Sequence, residues 1–348
     1  MNREWLRAWR GIGTAILFLL FLPGITFADG PQSVPSIFAP ASTPAANIRG
    51  LSMFVLEITV AIFLVVGGLL AYAVVRFRDR GDKDDDREPA QIYGSTQIEL
   101  AWTVIPILII VVLFLTSARM IFAIQDAPKP LAALDVTVVG HQFWWEYRYP
   151  KLGIVAANEL HVPLSNASHP TPTFLKLLSA DADHSFWVPQ LAGKTDLIPN
   201  HPNDMWIDPL HPGLYVGQCA QFCGVQHANM LLRVYVDTPE QFAAWAANQA
   251  KPGVQDSAVA DGRRVFETQA CMNCHTIRGT AATGRFGPDL THLMSRDTLA
   301  SGTVMNSKEN LRQWIKSPDS FKPGSLMPAM QLNAAQLDEI TAYLATLK

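Results

Sequence analysis

Cys219-Ala220-Gln221-Phe222-Cys223-Gly224-Val225-Gln226-His227-Ala228-Asn229-Met230 crowds two thiols, an imidazole and a thioether into a dozen residues. Soft sulfur together with imidazole selects copper among the common metals. A mononuclear blue-copper site takes one Cys, two His and a weak axial Met. Here a second thiol lies one short loop away, so two thiolates can face each other and bridge two copper ions. Sharing an electron between two such ions calls for little rearrangement on transfer. A Cys219–Cys223 disulfide would leave His227 and Met230 without a purpose. A structural zinc of two Cys and two His has no use for a thioether. A copper chaperone also pairs two Cys with a distant His, but is not expected to follow a nearby His with a Met.

The loop resembles the dinuclear copper loop of cytochrome c oxidase subunit II. That resemblance implies an earlier His ligand followed by Ser and an aromatic. Ser179-Ala180-Asp181-Ala182-Asp183-His184-Ser185-Phe186-Trp187-Val188-Pro189 supplies it as His184. The implied ligands are then His184, Cys219, Cys223, His227 and Met230 by side chain and Gln221 by backbone carbonyl. Many relatives carry Glu at the Gln221 position, where its carboxylate also reaches a magnesium. Magnesium prefers carboxylate oxygens, so Gln221 puts that further metal in doubt.

Downstream lies Cys271-Met272-Asn273-Cys274-His275. Two Cys flanking two residues and followed by His is the covalent haem c attachment pattern. Thioredoxin-like chemistry would need a strand–helix context that is absent. His275 is placed as proximal ligand, and a Met on a later loop should complete a high-potential His/Met pair. Pro323-Gly324-Ser325-Leu326-Met327-Pro328-Ala329-Met330 offers Met327, which resembles the axial Met of class I cytochromes c, with Met330 as the alternative. Val259 to Thr268, Glu309 to Lys316 and Ala334 to Leu347 read as helices, the last N-capped by Asn333.

The chain has 348 residues, only 16% of them charged against 49% hydrophobic, and a formal net charge of −3. That composition suits a membrane protein and gives no sign of nucleic-acid binding. Arg3, Arg7 and Arg10 precede an apolar run from Ile12 to Phe27, which reads as a signal peptide over 1–28, removed after Ala28. An uncleaved anchor is the alternative. Residues 29–50 read as an extended periplasmic segment. A transmembrane hairpin is expected over 51–125, with spans of about 51–75 and 98–124, each long enough for a bilayer that needs about 20 residues. Arg76, Arg78, Arg80, Lys83 and Arg87 put the connecting loop in the cytoplasm and the remainder outside.

Short β-rich runs at 135–140, 173–178 and 231–236 make 131–240 a sandwich or barrel. The family resemblance narrows it to an all-β cupredoxin-like Greek-key domain. Residues 256–348 then form an all-α class I cytochrome c domain. Glu99-Leu100-Ala101-Trp102-Thr103-Val104-Ile105-Pro106 resembles the family's second-helix signature, which makes Glu99 the candidate entrance of a proton path. Gly140-His141-Gln142-Phe143-Trp144-Trp145 resembles the aromatic segment beneath the copper. Phe143 replaces a common exposed Trp that receives electrons from soluble cytochrome c. Phe143, Trp144 and Trp145 are candidates for an electron route, and the two Trp also suit a buried core.

The resemblance as a whole implies the electron-input subunit of a bacterial haem–copper oxidase in the inner membrane. Subunits I and III would be its partners, and a cytochrome c or a cytochrome bc complex its donor. Oxygen reduction and most proton translocation would fall to subunit I, with no oxygen-reducing site on this chain. An electron-input subunit of a nitric oxide reductase and a membrane-anchored copper-delivery protein are the alternative readings.

Overall fold

A computed structural model describes residues 35–78, 91, 93–131, 133–166, 168 and 170–348. The leader read over 1–28, and most of the basic loop with Arg80, Lys83 and Arg87, lie outside the described residues.

Two helices dominate the N-terminal part: α1 (Thr43–Arg76) and α2 (Thr96–Gln125). The most apolar 18-residue stretches of the two have mean hydropathies of 2.6 and 2.7, and neither stretch is buried within the chain. Apolar side chains point outward all round both helices, as expected where lipid or a partner subunit is the solvent. Helix α1 starts at Thr43, inside the stretch read as extended. Pro44 explains the start, because its fixed φ suits the first helical turn. The preceding residues are docked rather than loose. The Ala41 N–H donates to Gln190 O at 2.8 Å and Leu210 N–H to Ala41 O at 2.9 Å. Thr43 Oγ1 donates to Asp208 Oδ2 at 2.6 Å, and Trp206 Nε1 donates to the Ile124 carbonyl at 2.7 Å. One end of each helix is thus tied to residues 206–208 of the next domain.

Among the described residues that domain has ten strands. They are β1 (Leu134–His141), β2 (Trp144–Tyr149), β3 (Ile154–Ala157), β4 (Glu159–Pro163), β5 (Thr173–Ser179), β6 (His184–Trp187), β7 (Thr195–Leu197), β8 (Asn203–Ile207), β9 (Gly213–Cys219) and β10 (Leu231–Asp237). One sheet runs β3-β2-β1-β5-β8, the other β4-β10-β9-β6-β7. Side chains alternate between the faces of a strand, and the sequence follows that period. Trp145, Tyr147 and Tyr149 on β2 are buried, as are Leu232, Val234 and Val236 on β10. Each fully buried side chain of this kind contributes about 1.5–3 kcal/mol.

Helix α3 (Pro239–Gln249) follows β10 directly. The domain boundary expected at residue 240 therefore falls inside a helix. Thr238 and Gln241 form a reciprocal capping box, and Trp245 packs on Tyr149 and His161 of the sandwich.

The C-terminal part is built from α4 (Ala260–Thr268), α5 (Cys271–Cys274), α6 (Lys308–Lys316) and α7 (Ala334–Leu344), with a small ribbon of β11 (Thr298–Leu299) and β12 (Val304–Met305). Asn333 caps α7 in a second capping box with Gln336. Leu337, Ile340, Tyr343 and Leu344 bury the stripe that crosses α4. The helix ends at Leu344, short of the expected Leu347, yet Leu347 is fully buried. Tighter turns at Tyr343–Thr346 and Leu344–Leu347 carry it inward.

Candidate copper and haem centres

Strand register assembles the first site. Antiparallel pairing sets Phe186 of β6 opposite Cys219 of β9. This brings His184, at the start of β6, beside the end of β9. The Cys219 N–H donates to the Met230 carbonyl at 3.0 Å and closes the base of the loop. The two sulfurs, Cys219 Sγ and Cys223 Sγ, stand 3.9 Å apart, and both thiols are free and buried. His184 Nδ1 is 3.9 Å from Cys219 Sγ, and His227 Nδ1 is 3.8 Å from Cys223 Sγ. Met230 Sδ lies 3.9 Å from Cys223 Sγ. The Gln221 carbonyl faces Cys219 Sγ at 3.2 Å, while its side chain is exposed. Donor atoms of His184, Cys219 and Cys223 fit within 4.8 Å of one another. Two thiolates between two imidazoles, with a thioether and a carbonyl, fit soft copper better than a hard cation.

A carboxylate that sequence reading did not single out orients this set. Asp181 Oδ1 accepts from His184 Nε2 at 2.8 Å, so Nδ1 keeps its lone pair for a metal. Asp181 Oδ2 accepts the Gln142 N–H at 2.7 Å. The Gln142 side chain in turn donates from Nε2 to the Cys223 carbonyl at 2.6 Å. The Cys223 thiol hydrogen-bonds to the Cys219 sulfur and lowers the pKa of Cys219, and His184 adds to the effect. The same hydrogen bond to Cys219, then burial and the Cys219 charge, push the Cys223 thiol up.

Alternation along β2 separates the two tryptophans. Trp145 is fully buried and sits edge-on beneath His184, with ring centroids 6.0 Å apart. Trp144 stacks on His141 at 4.2 Å and lines a cavity on the other side.

That cavity is the second site. Cys271, Cys274 and His275 line it, as do Met327 and Met330. His275 Nδ1 donates to the Pro288 carbonyl at 2.8 Å. A carbonyl only accepts, so Nε2 is left free as a ligand atom. Burial lowers the His275 pKa and keeps the ring neutral. A Cβ on Gly287 would stand 2.6 Å from the His275 ring, so only glycine lets the loop close over it. An apolar cavity floored by paired thiols and a neutral, oriented imidazole, with two thioethers in its wall, fits a haem. Gln142 and Phe143 of the sandwich also line it. Glu99 stands apart from both sites, exposed in the first turn of α2. Roughly 40 Å of helix, at 1.5 Å per residue, separate it from the sandwich.

Soft donors held on a β scaffold and a haem-attachment sequence, both on one membrane-anchored chain, define a redox protein that handles electrons one at a time. Residues 31–120 match the transmembrane domain of cytochrome c oxidase subunit II, residues 134–236 its periplasmic domain, and residues 259–348 cytochrome c. The chain belongs to the cytochrome c oxidase subunit II family. It is 32% identical to cytochrome c oxidase subunit 2 of Alkalihalophilus pseudofirmus over 84% of this chain and 86% of that one. It is 28% identical to the Bacillus subtilis protein of the same name over 96% of this chain and 97% of that one.

Proposed function

We propose that this chain is the electron-input subunit of a respiratory haem–copper oxidase. It accepts electrons from a cytochrome c or a cytochrome bc complex and delivers them to subunit I, where oxygen is reduced to water with proton translocation; this chain has no oxygen-reducing site. Cys271 and Cys274 would hold haem c covalently, and His275 and Met327 would supply the donor atoms to its iron. His184, Cys219, Gln221, Cys223, His227 and Met230 hold a pair of copper ions. When bound, these groups supply one-electron carriers of low reorganisation. The residues do the rest: they fix the donor atoms, exclude water and set the spacing. Gln221 leaves no carboxylate for a magnesium at the border with subunit I. The loop between α1 and α2 faces the cytoplasm, both soluble domains face the periplasm, and Glu99 opens a proton path into subunit I. Subunit III completes the assembly.

One observation carries the order of transfer. Gln142 and Phe143 form part of the haem cavity wall, and Gln142 is hydrogen-bonded to the Cys223 carbonyl. This turn would give electrons that enter at the haem domain a short bonded route to the copper loop. Phe143 is 8% exposed, so it offers little surface to an external cytochrome. Trp144 lines the cavity that would take the haem, and Trp145 supports His184.

The test is to purify the complex and count metals. Two copper per haem c over and above the copper of subunit I, with a delocalised odd electron in low-temperature magnetic resonance, is the expected result. Stopped-flow reduction then checks the order. If copper reduces at the normal rate in a Met327→Ala complex whose haem no longer accepts electrons, the haem is not the entrance.

A further inference from the structure

Lys322 is an unusual residue to find inside a protein. It is only 3% exposed and lines the haem cavity. Its Nζ donates to the Phe143 carbonyl at 2.7 Å, across the seam between the two domains. It also donates to the Ala300 carbonyl at 3.2 Å. An ammonium has three protons, and these carbonyls take two. Burying a charge without an anion is costly, and here burial pulls the lysine pKa down to about 7. An apolar side chain would fill the same space without that penalty. Two carbonyls thus leave one proton of the ammonium to offer to the cavity.

The surroundings are built for close approach. Gln226 Nε2, from the copper loop, donates to the Pro323 carbonyl at 2.6 Å. A Cβ on Gly324 would stand 2.9 Å from Val225 Cγ2. The other cation of the cavity wall, Arg296, precedes a turn gripped by the sandwich. Buried Glu159 accepts the Asp297 and Thr298 N–H groups at 3.0 Å. Both cations of the cavity therefore sit beside the seam with the copper domain. A haem carries two carboxylates on one edge of its ring.

We propose that Lys322 pairs with a haem carboxylate while holding the Phe143 carbonyl, so that the carboxylate edge of the haem faces the copper domain and the bound haem becomes part of the seam. Lys322 is thus a positioning residue for transfer between the domains. The inference rests on the proposed haem and copper centres. A wild-type complex lacking either centre would sink that reading, whereas the latch is judged only in variants that retain both.

The experiment uses the purified complex with Lys322→Met and Lys322→Arg. In Lys322→Met, loss of a cation near the ring should lower the haem midpoint potential. Haem-to-copper transfer after flash reduction should slow by about tenfold or more, because small misplacements carry large rate penalties. Amide hydrogen exchange around residues 142–144 should quicken. The charge-transfer band of Met-ligated haem and the copper signal should persist. Lys322→Arg should restore the potential. Unchanged potential and transfer rate in Lys322→Met would overturn the proposal, as would equal losses in both variants. If Lys322→Met does not accumulate, Lys322→Gln is read by the same criteria.

Discussion

The copper loop and the haem cavity solve the same problem, holding a redox group, by different means. In the loop the donors already face one another: Cys219, Cys223, His184, His227 and Met230 lie at 3.8–3.9 Å contacts. Sheet pairing and a buried aromatic core place them, and neither depends on a metal. The haem cavity has no such scaffold. A four-residue helix holds Cys271 and Cys274, whereas Met327 and Met330 sit on a loop beyond α6. Leu311, Ile315, Ile340 and Leu344 turn to the cavity as much as to one another. A preformed site should survive loss of its group, while a cavity whose core is the group itself should not.

Replacing both Cys271 and Cys274 with Ser should test this most severely. All covalent haem should be lost on a denaturing gel, and residues 256–348 should become protease-sensitive. The sandwich should still bind copper. A protease-resistant haem-free C-terminal half would erase the contrast. Next in size, Met327→Ala should keep the haem attached but lower its potential and abolish the Met-ligation band, whereas Met330→Ala should leave both. Redox titration of each variant decides between two thioethers that line the same cavity. A smaller effect is expected at Asp181. Asp181→Ala frees His184 Nε2, and loss of such an outer partner weakens metal binding about 10–100-fold. Chelator competition measures it, and an unchanged affinity would mean that the sheet alone orients the ring.

The same contrast governs what could be read in advance. The candidate donors from Cys219 to Met230 and the Cys271-to-His275 attachment pattern stood out in advance because each group is local in sequence. The strand at 231–236 and the helix capped by Asn333 were legible because burial follows a period of two or of three to four. Asp181 stood in the quoted stretch, but a carboxylate three residues before a His has no distinctive pattern. Gln142 and Cys223 are 81 residues apart, and only sheet packing joins them. Lys322, between Phe321 and Pro323, reads as an exposed loop lysine. Its burial exists only because one domain docks on another, which no local pattern encodes. Helix α3 was readable after all, since Thr238-Pro239-Glu240-Gln241 is a capping sequence.

The subtlest test asks whether the sandwich owes its independence to its own charges. Glu146 on β2 is 8% exposed. Burial by itself would raise its pKa, but hydrogen bonds from His141 and Arg148 outweigh this and hold it down to about 2, against 4.5 when unperturbed. A carboxylate depressed by folding stabilises the native state above its unfolded pKa. That stability is present above pH 4.5 and is lost as pH falls from there toward 2. The full contribution is on the order of 3 kcal/mol. Acid titration of the full chain, followed by tryptophan fluorescence, should show the sandwich weakening across that window. Glu146→Gln should be less stable near neutral pH and should flatten the acid slope. A variant with an unaltered slope would show that other carboxylates set the acid limit, and that β2 is held by its aromatic face alone.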